Sequence, residues 1–190
     1  MKTKNRILST ILSLCLMCGM AVPAFAADIN TSGGTGATPV QLTAAATTFD
    51  VTVPTSIAIT VNADGTVTCP SASAVKIHNA SAGAVKVSNI AMNNGTWTLA
   101  SYNGGSRDLL AQEKVNANKL GFQLSVSGDT AATATNGNQT LTHDASKWVI
   151  NPNSDLEITT AAIATAVSEA ISAAENAAEV VFTIGWNTAA

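Results

Sequence analysis

Apolar and polar side chains alternate along most of this chain, and the alternation has the period of a β-strand rather than a helix. Phe49, Val51 and Val53 take every second position, as do Ile57, Ile59 and Val61 beyond Pro54. Asn62-Ala63-Asp64-Gly65 then reads as a hairpin turn into Thr66-Val67-Thr68, with Gly65 supplying a positive φ. Val75 and Ile77 precede a turn over Asn79 to Gly83; Val85, Val87 and Ile90 follow it. Asn93-Asn94-Gly95 turns the chain into Thr96-Trp97-Thr98-Leu99, and Leu120, Phe122, Leu124 and Val126 give the clearest strand of all. Leu141, Trp148 to Ile150, Leu156 with Ile158, and Val180 to Trp186 mark the remaining strands. Short strands joined by Asn/Gly turns predict a mostly β fold, an antiparallel β-sandwich of Ig-like or jelly-roll-like form.

One segment departs from period two. Ile163, Val167, Ile171, Ala174 and Ala178 recur every three to four residues, with Ser168, Glu169, Glu175 and Asn176 mostly on other faces. That spacing predicts one short Ala-rich helix near the C-terminus, capped by Thr160 and resting on a sheet edge. A polar loop between strands is the alternative.

The first 26 residues follow another logic. Lys2, Lys4 and Arg6 precede an apolar run from Ile7 to Val22, and Ala24 and Ala26 stand at the −3 and −1 positions of a cleavage site. This is the layout of a secretory signal peptide, and the run is shorter than the ~20 residues a membrane-spanning helix needs. The expected organisation is a signal peptide over 1–26, a leader over 27–48 and one β-sandwich domain over 49–190. The leader is Gly/Thr/Ala-rich around Gly33-Gly34-Thr35-Gly36. It is either a flexible lead-in or, through Val40 and Leu42, a strand donated to another subunit. No membrane span is expected in the mature chain.

Removing the signal changes the charge and the thiols. Six Lys/Arg then face twelve Asp/Glu, so the net charge moves from −3 to −6. An acidic domain with scattered lysines lacks the electrostatic footprint for nucleic acid, and anionic lipid suits it no better. Charged residues make up only 11% of the chain, so hydroxyls and amides must cover much of the surface, as suits an extracellular protein. Cys15 and Cys18 leave with the signal; Leu14 and Met17 before them do not fit a lipidation site. Cys69 alone remains, either as a small buried hydrophobe or as an intermolecular bridge. The C-terminal end carries no sorting pentapeptide, so covalent wall anchoring is not expected.

Little else points to chemistry. His78 and His143 are isolated, and no metal site or other cofactor is expected. No Gly-x-Ser-x-Gly elbow occurs. Asp155 and Glu157 sit two apart on one strand face, where neighbouring carboxylates lack the cleft that glycoside cleavage needs. Asn62 to Gly65 lacks the alternating acids of a calcium loop. Asn94-Gly95-Thr96 matches a glycosylation sequon, but turn formation accounts for it. The aromatic residues carry more information. Trp97, Trp148 and Trp186 are candidate glycan or wall contacts by stacking on sugar rings, although a core rich in Ala and Val calls for Trp97 and Trp186 as filling.

Trp97-Thr98-Leu99 resembles the W-x-L tripeptide of Gram-positive WxL surface domains, secreted β-rich domains held non-covalently on the wall. Their second W-x-L near the C-terminus corresponds here to Gly185-Trp186-Asn187, which keeps the Trp without the Leu. The layout from Phe49 onward, after a plain signal peptide, also looks like secreted fibre subunits of the TasA/camelysin kind. That resemblance implies an N-terminal segment completing a neighbour's sheet. Together these readings lead to the expectation of a non-catalytic secreted cell-surface structural protein that self-assembles through strand pairing. Its partner is then itself, as a homo-oligomer or fibre. The alternative is a non-covalent wall-polymer or glycan-binding module.

Overall fold

The computed structural model describes Val40, residues 42–102, Leu110 and residues 112–188. The expected signal peptide and most of the leader lie outside the described residues. The chain divides into two units, Met1–Ala44 and Ala45–Ala190. In the first, Val40 and Leu42 are both exposed.

The second unit is built from thirteen described strands and one short 3-10 turn, Ala72–Ala74. Along the chain these are β1 (Val51–Thr52), β2 (Thr60–Val61), β3 (Val67–Thr68), β4 (Lys76–Asn79), β5 (Val85–Asn94), β6 (Thr98–Ala100) and β7 (Lys119–Ser125). They continue as β8 (Ala132–Thr133), β9 (Gln139–Thr140), β10 (Val149–Ile150), β11 (Ser154–Glu157), β12 (Thr159–Ala164) and β13 (Ala178–Trp186). Every pairing is antiparallel except that of β6 with β7. The fold is mostly β, as the alternation predicts.

Two four-stranded sheets carry the centre. In one, β5 lies between β13 on one flank and β10 and β9 in succession on the other. In the other, β7 lies between β12 on one flank and β6 and β8 on the other. A smaller sheet orders β1, β4 and β11, and β2 pairs β3 in the hairpin. Val85, Val87, Ile90 and Met92 of β5 share one buried cluster with Leu120, Phe122 and Leu124 of β7, Leu99, Trp97 and Trp148.

The phase of β5 slips once, from 85 and 87 to 90 and 92, and its ladder explains why. Thr183 faces Asn89 while Ile184 faces Val87, so Ser88 is the extra residue of a β-bulge. Its hydroxyl donates to the Thr183 carbonyl at 3.2 Å. The bulge lets both apolar pairs of β5 reach the core. On β4, Asn79 is fully buried and fully employed. Its amide nitrogen lies within 3.1 Å of the Gly83, Ile150 and Asn151 carbonyls, and its Oδ1 accepts from the Ser81 N–H.

The C-terminal helix expected from the spacing is absent. Thr159–Ala164 forms β12, paired residue for residue with β7, and residues 165–177 run as a loop into β13. Thr160, Ala162 and Ala164 are buried along β12, which is period two, and Ile163 packs over Gly121 of β7. A Cβ at Gly121 would stand 2.7 Å from Ile163 Cγ1, so glycine there allows the close fit. Six ladder positions outweigh the modest helix preference of alanine. The loop end is clamped: the N–H groups of Gly95 and Trp97 donate to the Ala177 carbonyl and that of Thr96 to Asn176.

Candidate functional site

The strand with the most unsatisfied bonding capacity is β13. Its nine residues pair with β5 on one side, and no strand among the described residues pairs with the other. Val180, Phe182 and Ile184 point toward the core, yet remain only half-buried. Their ladder partners Met92, Ile90 and Val87 on β5 are completely buried. Val181 is 40% exposed on the opposite face. A strand whose inward residues stay half-covered lacks a neighbour on its open side. The ladder irregularity falls on β5, so β13 alternates without interruption, and it contains no proline, no lysine and one acid, Glu179. Those are the devices that usually blunt an exposed edge.

Trp186 ends this strand. Its ring packs over Gly83, where a Cβ would meet Cζ3 at 2.8 Å, and Phe49 meets it edge-on with centroids 5.1 Å apart. It is half-buried, in line with semi-buried packing. Trp97 and Trp148 are different. They are 5% and 0% exposed, and each indole N–H donates to a carboxylate, Trp97 to Glu175 Oε1 at 2.5 Å and Trp148 to Asp129 Oδ2 at 2.6 Å. Neither ring offers a face to a sugar, which corrects their candidacy as stacking platforms. The cause is core filling: Trp148 meets His143 at 5.8 Å and Phe182 at 6.3 Å between centroids. Within Trp97-Thr98-Leu99, both Trp97 and Leu99 are buried, so the tripeptide is a packing unit in this fold.

The ionisable candidates are structural. Asp155 bridges Lys76 Nζ and His78 Nδ1, each at 2.6 Å, across the β4–β11 ladder. The lysine bond, then the histidine bond, holds the Asp155 carboxyl below the usual range, and the same contact raises Lys76. Asp144 is lowered by bonds from Ser146, whose N–H donates to it at 2.9 Å. His143 lies with its ring nitrogens 3.4 Å from the Leu141 and Val87 carbonyls. Among the described residues no group of three or more His, Cys, Asp or Glu is placed to hold a metal ion. The Asn62–Gly65 turn forms the expected hairpin, with Gly65 at φ 79°.

Sequence reasoning placed Val180 to Trp186 on a strand but missed that the strand is an edge. Alternation marks which face is inward and is the same for edge and central strands. The available signal was the scarcity of charge along the segment. Thr160, expected as a helix cap, is instead buried on β12 with its hydroxyl beside the Cys69 thiol. Among the described residues no helix is long and apolar enough to cross a membrane. Compared with known proteins, this chain matches no family model, no curated protein and no solved structure.

Proposed function

We propose that this chain is a non-catalytic secreted cell-surface structural protein that self-assembles through β-strand pairing. The observation that carries the proposal is the open edge of β13, nine residues long, regular and half-covered on its inward face. A strand laid along it would pair the free backbone groups and complete the burial of Val180, Phe182 and Ile184. The donor on this reading is the leader of a second copy, residues 27–48, whose Val40 and Leu42 side chains are both exposed. The finer architecture we assign is an antiparallel β-sandwich, supported by β5 and β7 contributing to one buried cluster from two sheets. The chain then belongs with Gram-positive WxL-like or TasA/camelysin-like surface proteins, delivered by the signal peptide over 1–26.

The test is light scattering with negative-stain microscopy on protein beginning at Ala27 and on protein lacking residues 27–48. Oligomers or fibres that form only with the leader are expected. A protein that stays monomeric at every concentration, with and without the leader, overturns the assembly.

A further inference from the structure

The loop over 165–177, between β12 and β13, is built unlike the other connections. From Ser168 to Asn176 nine successive residues are exposed, whereas between β1 and β12 no exposed run among the described residues exceeds three. Both flanks of the run are fastened. The Thr165 N–H donates to the Lys119 carbonyl at 3.0 Å, and Ser168 exchanges two bonds with the Asn116 side chain, each at 2.8 Å. On the far side the Glu175 carboxylate accepts from the Trp97 indole, and the Asn176 and Ala177 carbonyls accept from the N–H groups of residues 95–97. Between these anchors, Glu169 to Ala174 form no hydrogen bond with any described residue, and Ile171 stands 51% exposed. The Asn62–Thr66 and Asp144–Trp148 connections, by contrast, are closed by their own backbone bonds. Glu169 to Ala174 contains neither proline nor glycine, and apart from Glu169 and Ile171 it is only Ala and Ser. Free backbone groups and small side chains are what an endoprotease needs to lay a substrate into its cleft as an extended strand.

We propose that residues 169–174 are a processing site, cut in the folded protein by an endoprotease that accepts small aliphatic residues, and that β13 stays in place afterwards as a separate chain. The cut falls on the carbonyl side of Ala170, Ile171 or Ala173. Water is the co-reactant: the peptide C–N bond breaks, the acyl carbon takes the water oxygen as a carboxylate, and the departing nitrogen becomes an ammonium. No native hydrogen bond has to open first, because the segment makes none. The same anchors that leave the segment free keep its two ends in position once it is cut. β13 retains its nine ladder positions on β5, and Glu175 retains the Trp97 indole. The product is a two-chain protein whose second chain is held by strand pairing and side-chain burial alone, so its stability becomes dependent on concentration.

The test treats the full chain with pancreatic elastase, which cuts after small aliphatic residues, and follows intact mass and peptide mapping over time. The first cut within residues 45–190 is expected at Ala170, Ile171 or Ala173, with both pieces eluting together from gel filtration and separating in urea. A first cut elsewhere in that range, or pieces that part without denaturant, overturns the proposal. Ile171→Pro combined with Ala174→Pro places a proline after each susceptible alanine, at positions whose N–H groups serve no bond. This variant should lose the cut while keeping its circular dichroism; a folded variant still cut there counts against the site. The Ile90→Ala protein gives a second reading that needs no change in the loop. Its cutting rate should equal that of the parent, because a site open in the folded protein does not wait for unfolding. A rate that rises with the loss of stability overturns the proposal.

Discussion

β11 and β13 are both terminal strands of their sheets, and they are built in opposite ways. β11 is four residues long, follows Pro152, and exposes Asp155 and Glu157 toward solvent. β13 is nine residues long, carries one acid and leaves its inward residues half-covered. A second strand approaching β11 meets two carboxylates and a short ladder; one approaching β13 meets an extended, nearly neutral template. Being at an edge is therefore not enough to make an edge usable. Length, regularity and charge decide it, and of the two strands only β13 has all three in favour.

That contrast can be broken from several directions. The largest effect is expected one strand inward, at the ladder pair Ile90–Phe182. Ile90→Ala removes a completely buried side chain and should cost about 3–4 kcal/mol in urea unfolding. Phe182→Ala should cost about 2 kcal/mol in the monomer, because the ring is half-covered before substitution. Under associating conditions the two costs should converge. Equal costs in the monomer would mean that the inward face of β13 is already complete.

Asn79→Ala probes the sheet that β11 closes, and should cost about 2–3 kcal/mol by thermal and urea unfolding. It strands the Gly83, Ile150 and Asn151 carbonyls that the amide now serves. A smaller change in stability, but the sharpest in outcome, is Val181→Lys. This exposed position should tolerate the lysine within about 0.5 kcal/mol, while light scattering loses the association expected of the parent protein. Retained association would remove β13 from the interface.

The smallest effect concerns β11. Asp155 has its folded pKa lowered by Lys76 and His78, so its contribution is present above its ordinary value of 3.8 and fades as pH falls through the lowered one. Asp155→Asn should be slightly less stable than the parent at neutral pH, and the two should converge in acid. A gap that persists at low pH would point to shape rather than charge.

Much of the β architecture was legible because burial on one face imposes period two. Leu120 to Val126 and Val180 to Trp186 were readable for that reason. The turn at Gly65 was readable because it needs a positive φ. The segment from Thr160 was misread because the three-to-four-residue recurrence from Ile163 to Ala178 runs across the end of β12, a loop and the start of β13, and only the pairing of β12 with β7 shows where the strand lies. Likewise β6 beside β7 in parallel, and Thr160 beside Cys69, depend on distant parts of the chain meeting. The slip at Ser88 was not read from the sequence, where Val85, Val87 and Ile90 pass as one strand, because its cause lies in the partner strand.

The three tryptophans occupy two distinct settings, and this makes the protein its own spectroscopic reporter. Trp148 and Trp97 are enclosed, each with its N–H held by a carboxylate, so their emission is fixed by the fold and changes only on unfolding. Trp186 stands half-open at the end of β13 against Phe49. A strand arriving beside it would strip solvent from this one indole, shifting its emission to shorter wavelength and shielding it from iodide quenching. Subunit joining could thus be followed in real time without a dye, and separated from denaturation by which indole responds.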